Sequence, residues 1–151
     1  MMTKKELWFD MDGTIANFYA VEGWLEYLNK EDVFPYAQAG TLLNFSLFAR
    51  LLHKLQAEGW RIGIISWTSK CGSEEFNLAV EIAQRAWRAK HLPSIEWDEI
   101  KVVRYGTNKY MTCGGGILFD DEERNRNAWQ DKAYEPSQIM EILKTLLSNT
   151  H

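Results

Sequence analysis

The sequence has 151 residues, 46% of them hydrophobic, which suits one compact domain over 1–151 with a single core and a single site. Acidic residues outnumber basic ones by 21 to 17, and the resulting net charge of −4 gives no overall attraction for nucleic acid or an anionic membrane surface. The N-terminal MMTKKELWFD has no apolar stretch long enough for a signal peptide or a membrane span, so a cytoplasmic protein is expected, and Cys71 and Cys113, outside any zinc-ligand spacing, are expected to be free thiols.

In chain order, Glu6 to Asp10 reads as a short buried strand, apolar through its middle and stopped by Asp-Gly. Val21 to Asn29 carries apolar residues at Val21, Trp24, Leu25 and Leu28, the spacing of one helix face, and Asp32 to Gly40 reads as a loop around Pro35. Leu42 to Glu58 is an amphipathic helix ended by Gly59, and Arg61 to Ser66 follows as an apolar strand. Ser73 can cap a helix from Glu74 to about Lys90, and Glu99 to Arg104 supplies a third strand. Gly114-Gly115-Gly116, with no Gly-Lys-Ser/Thr after it, reads as a turn into a fourth strand, Ile117 to Asp120. A very polar stretch, Asp121 to Asn127, precedes a last helix from about Ser137 to Leu147. This alternation predicts an α/β fold: an open, mostly parallel, Rossmann-like sheet flanked by helices, with ligands beyond the strands' carboxyl ends.

Three strands deliver a polar residue to that edge: Asp10, Ser66 and Asp120. Asp10 and Asp12 are two apart, so in extended chain their carboxylates share a side, and Gly13 permits a sharp exit. Carboxylates gathered in this way repel one another unless a cation joins them. The hard oxygens of Asp10, Asp120 and Asp121 suit magnesium, which takes its remaining ligands from water and phosphate. A carboxylate is also a covalent nucleophile for phosphoryl groups, and a second carboxylate beside it can serve as acid and base. His53 and His91 fall in helices away from every one of these residues.

Asp10-Met-Asp-Gly-Thr14 after an apolar strand resembles the first motif of the haloacid dehalogenase superfamily in its phosphatase form. The resemblance runs from Leu7 to Asp121. It implies Asp10 as nucleophile and Asp12 as acid/base, with the metal held by Asp10, the backbone carbonyl of Asp12, Asp120 and Asp121. It places the phosphate-binding hydroxyl at Ser66, with Thr68 as the alternative register. The phosphate-binding lysine falls at Lys109, with Lys101 and Lys70 as alternatives. One of Asp120 and Asp121 would bind the metal directly, Asp121 being favoured, and the other directly or through water. The implied activity is magnesium-dependent hydrolysis of a small phosphorylated substrate, a phosphate monoester, through a phospho-aspartate.

The segment between the first two motifs carries a substrate-selecting cap in that family. Here only about 17–41 is left for it once the helix at Leu42 is set aside, so the cap is minimal. Its aromatics, Phe18, Tyr19, Trp24, Tyr27, Phe34 and Tyr36, could stack on a base or pack the insertion onto the core, and Trp24 is assigned to packing. The first motif and the later Asp-Asp are also similar to the deoxyribonucleotide 5′-phosphatase branch, whose cap is longer; a nucleotide or another small phosphate ester is the substrate this implies. Two other readings use the same residues: a phosphotransferase or phosphomutase, and a non-enzymatic phospho-acceptor signalling domain. The latter has no need of an acid/base at Asp12 and carries its acidic pair ahead of the acceptor.

Overall fold

The computed structural model describes residues 4–149. Its main sheet is built from β1 (Glu6–Phe9), β4 (Arg61–Trp67), β5 (Glu99–Val103), β6 (Ile117–Phe119) and β7 (Lys132–Tyr134). All four pairings are parallel, in the order β5-β4-β1-β6-β7. The chain builds outward from β1 to β4 and β5, then returns to add β6 and β7 on the other side. The order therefore reverses beside β1, where an open α/β sheet forms its ligand crevice. The architecture is the α/β Rossmann-like sheet expected from the sequence.

Alternation along the strands explains why both faces are covered. Leu7, Phe9, Ile62, Ile64, Ile117 and Phe119 join one core. They pack there with α3 (Phe45–Ala57), α4 (Glu74–His91) and α7 (Ile139–Ser148), through Leu52, Trp87 and Leu143 among others. Trp8, Ile65 and Leu118 face the other way, onto Trp129. Burying each such side chain contributes about 1.5–3 kcal/mol, so the central strands are held by their packing on both sides.

The insertion after β1 is closed at its base by a two-stranded antiparallel pair, β2 (Ala16–Asn17) with β3 (Gly40–Thr41). Between them lie a 3-10 turn at Phe18–Ala20 and two short helices, α1 (Trp24–Asn29) and α2 (Phe34–Gln38). Phe18 and Tyr36 pack with Phe76 and Val80 of α4, so the insertion rests on the core.

Several boundaries differ from the sequence expectation. The segment expected as a loop around Pro35 holds α2, because proline is tolerated in a first helical turn and Asp32 Oδ1 accepts the Phe34 N–H at 2.9 Å. Helix α3 starts at Phe45, not Leu42, since Asn44 caps it by accepting from the Leu47 N–H. Helix α1 starts at Trp24, after Gly23 in the left-handed region at φ 77°. The polar stretch after Asp121 forms α6 (Glu123–Ala128), and β7 and α5 (Lys109–Cys113) are additional elements. The capped helix after Ser73, the turn at Gly114 to Gly116 and the two free thiols stand as expected. Among the described residues no helix is long and apolar enough to cross a membrane.

Candidate active site

Asp10 directly follows β1, and its backbone N–H donates to the Phe119 carbonyl at 3.0 Å, which fixes it against β6. The chain then turns tightly: the N–H groups of Thr14, Ile15 and Ala16 all converge on the Met11 carbonyl at 3.0–3.2 Å. Gly13 makes the turn at φ 84°, and a Cβ there would run into the Asp121 carboxylate and the Tyr19 ring, so only glycine fits.

This turn and the end of β6 bring together Asp10, Asp120 and Asp121, each offering a carboxylate oxygen within 4.8 Å of the others. Lys109, at the start of α5 and 3% exposed, bridges two of them, with Nζ at 3.0 Å from Asp10 Oδ1 and 2.6 Å from Asp120 Oδ2. Asp120 also accepts from Asn125 Nδ2 at 3.1 Å and from the Glu122 N–H at 2.9 Å. Asp10 Oδ2 accepts from the Thr14 hydroxyl at 3.0 Å.

The electrostatics follow from this crowding. Burial raises Asp10 to about 7, Lys109 opposing the shift and Asp121 adding to it. Burial also raises Asp120 to about 6, with Asp10 adding to the shift, and it raises Asp121. For Lys109 burial acts to lower the value, but Asp10 and Asp120 together outweigh it and hold the ammonium charged. One lysine thus faces three carboxylates, a donor set of hard oxygens with uncompensated negative charge. Such a set fits a divalent cation.

The Asp12 carboxylate is not part of that trio. The tight turn carries it towards α4, where Gln84 Nε2 donates to its Oδ2 at 3.3 Å. Burial, followed by repulsion from Asp10 and Asp121, raises its pKa well above the usual range. Ser66, near the end of β4, is buried and accepts from the same Gln84 nitrogen at 3.3 Å, while Thr68 lines the cleft. Of the other lysines, Lys101 is engaged with Glu99 and the Thr112 carbonyl, and Lys70 is exposed at the cleft rim beside Tyr105.

Above the acids opens a cleft of about 450 Å³. The insertion lines it with Tyr19, Trp24, Leu25 and Leu28, and the core adds Trp67 and Tyr105. Tyr19 and Trp24 meet edge to face at 4.9 Å, and the Trp67 and Tyr105 ring centres are 4.8 Å apart. Trp24, expected to serve packing, both packs on Phe18 and lines the cleft.

Three polar residues of the site had no role in the sequence reading: Thr14, Gln84 and Asn125. Gln84 left a signal, being a polar residue at the buried positions of α4 shared by Phe76, Val80 and Trp87. Thr14 closes the Asp10-Met-Asp-Gly-Thr14 motif but its contacts depend on Asp121, far away in sequence, and Asn125 left no signal because the polar composition concealed its helix.

No protein-family model matches the chain, and neither does any curated protein. Among solved structures, the crystal structure of D,D-heptose 1,7-bisphosphate phosphatase from Burkholderia thailandensis is similar, with a TM-score of 0.50 and 18% sequence identity. The similarity covers 83% of this chain and 71% of that one. At that identity the likeness establishes a common fold, the parallel sheet flanked by helices.

Proposed function

We propose that the chain is a magnesium-dependent phosphatase of the haloacid dehalogenase type, one domain over 1–151 with a minimal cap at about 17–41, hydrolysing a phosphate monoester through a phospho-aspartate at Asp10. The observation that carries the reading is the buried Lys109 bridging Asp10 and Asp120, with Asp121 alongside, at the point where the strand order reverses. The phosphatase named in the structural comparison supports the reaction class.

Magnesium would be held by Asp10, the backbone carbonyl of Asp12, and Asp121, with Asp120 directly or through water. Asp120 already accepts three hydrogen bonds, which supports Asp121 as the direct ligand. When bound, the metal supplies positive charge that offsets repulsion between the carboxylates and an anionic phosphate. Asp10 attacks phosphorus as the bond to the leaving oxygen breaks, and Asp12 gives that oxygen its proton. Asp12 then takes a proton from water, which attacks phosphorus, breaks the bond to Asp10 and releases inorganic phosphate. Lys109 steadies Asp10 and the phosphoryl oxygens, and the Ser66 hydroxyl, with Thr68 as the other choice, holds one of those oxygens.

The aromatic cleft supports a substrate with a flat leaving group, such as a nucleoside or an aryl alcohol. A second phosphate finds less support: among the lining residues only Lys70 and Lys109 are cationic. The test is release of phosphate from nucleoside monophosphates, aryl phosphates and sugar phosphates with magnesium, run beside Asp10→Asn and with an added alcohol. Turnover of ring-bearing esters by wild type alone supports the proposal. Phosphoryl transfer chiefly to the alcohol makes the protein a transferase, and no turnover of any ester refutes the enzymatic reading.

A further inference from the structure

The side chain of Gln84 is 1% exposed, at the middle of α4, and lies under the proposed catalytic groups. Its Nε2 is 3.3 Å from Asp12 Oδ2 and 3.3 Å from Ser66 Oγ, so the two hydrogens of one amide nitrogen reach both residues. Its Oε1 has no hydrogen-bond partner among the described residues. A buried amide with an unmatched carbonyl is a poor choice for packing; of the other buried positions of α4, Phe76, Val80 and Trp87 are apolar, and Arg88 is satisfied elsewhere, its guanidinium donating to the Met11 sulfur. The polar residue therefore needs an explanation in what it touches.

Resting on the phosphatase reading above, we infer that Gln84 is a positioning residue that fixes which oxygen of Asp12 exchanges its proton with the substrate. With Oδ2 accepting from the amide, the proton of a neutral Asp12 resides on Oδ1, the oxygen left to face the leaving group. Because Ser66 Oγ likewise accepts from the amide, its own hydrogen is directed away from α4. A neutral donor suits a carboxyl that must hold a proton in one step and lack it in the next. A lysine or arginine would pin Asp12 in its ionised form, and a glutamate would repel it.

The experiment compares wild type with Gln84→Met and the near-isosteric Gln84→Glu on p-nitrophenyl phosphate, whose leaving group needs little protonation, and on a simple alkyl phosphate, whose leaving group needs it fully. The wild-type ratio of kcat/KM for the two esters should rise ~10-fold or more in both variants, since acid catalysis alone contributes ~10²–10⁴-fold. The unfolding temperature of Gln84→Met should not fall. A purely structural glutamine would lower both esters alike, and that result, or an unchanged ratio in Gln84→Glu, overturns the inference. Side-chain amide resonances of Gln84, assigned in the wild-type protein, decide the matter if a variant fails to fold or if wild type turns over neither ester. Ser66→Ala and Asp12→Asn should each shift a different one of its two protons; if neither moves, the bridge does not exist.

Discussion

The Thr14 hydroxyl accepts the backbone N–H of Asp121 at 3.1 Å, joining two residues 107 positions apart. It also donates to Asp10 Oδ2 at 3.0 Å, so one buried oxygen aligns both acidic segments. Thr14→Val keeps the shape and removes both bonds. Magnesium affinity, measured by calorimetry, should drop ~10–100-fold, as for other groups that orient metal ligands, and Thr14→Ser should restore most of it. Equal affinity in Thr14→Val would mean that the acids are aligned by the turn alone.

Among the described residues Lys109 is the one cation placed between Asp10 and Asp120, and Lys109→Met leaves both carboxylates without it. Breaking a buried pair costs about 3–5 kcal/mol when the orphaned charge cannot escape. Here the aspartates can take up protons, so denaturant unfolding of the metal-free variant should show a smaller loss in acid than in mild alkali. Turnover should fall by orders of magnitude at any pH, because the lost charge faces the transferring phosphoryl group. Lys101→Ala is the control, and loss of activity there with Lys109→Met still active would reverse the assignment.

Metal-free protein should be more stable in mild acid than in mild alkali. Asp10 is raised to about 7 and Asp120 to about 6 by burial, so the folded state binds protons that the unfolded state has released. A raised carboxylate stabilises fully below its unfolded value and loses that contribution as pH climbs through its folded value. The unfolding temperature in a chelator should therefore fall as pH climbs from the ordinary value of 3.8 through about 7. Magnesium, which competes with those protons, should raise it more at the upper end. A flat or rising profile in the chelator would contradict the crowding of the acids.

The sheet was legible in the sequence because its strands are short apolar runs ending in a polar residue, and Asp10, Ser66 and Asp120 mark three of those ends. The acidic trio was legible for the same reason: once the strands are parallel, their ends meet. Residues 123–128 were opaque. Glu123-Arg-Asn-Arg-Asn-Ala128 has no apolar periodicity, and its helix is tied down by Asn125 and Arg126 bonding to the side chain and carbonyl of Asp120. The three residues of β7 are too short to carry a pattern, and α2 was hidden by reading Pro35 as a breaker. The second partner of Asp12 was opaque too: three N–H groups turning onto the Met11 carbonyl bring its carboxylate within reach of Gln84, while it still lines the same cleft as Asp10.

Gly63, in the middle of β4, is covered by the Trp8 ring. A Cβ there would stand 2.5 Å from Trp8 Cζ3 and 2.6 Å from Cε3. Trp8 is buried against Ile65, Leu118 and Trp129 and cannot move freely. Gly63→Ala should therefore destabilise by about 1–3 kcal/mol despite alanine's better strand entropy, read as a lower midpoint in urea. In Trp8→Leu the same substitution should cost much less, and equal costs in the two backgrounds would place the strain elsewhere.

The division of labour between Asp10 and Asp12 gives the last expectation. Asp10 is held by β1, by Lys109 at 3.0 Å and by the Thr14 hydroxyl, so its carboxylate is positioned from three sides and beside the proposed cation. Asp12 lies in the turn, bonded through one oxygen to a neutral amide, with a pKa raised by burial and by its acidic neighbours. The first arrangement suits in-line attack on phosphorus, the second a proton carried back and forth. Asp10→Asn should abolish both product and covalent intermediate. Asp12→Asn should lose ~10²–10⁴-fold in turnover yet still become labelled by an ester with a good leaving group, because that step needs no proton, and the label should persist since nothing activates the hydrolytic water. Acid-quenched protein digested for mass spectrometry locates the acyl phosphate. Phosphate on Asp12, or rapid loss of label from Asp12→Asn, would reverse the roles given to the two residues.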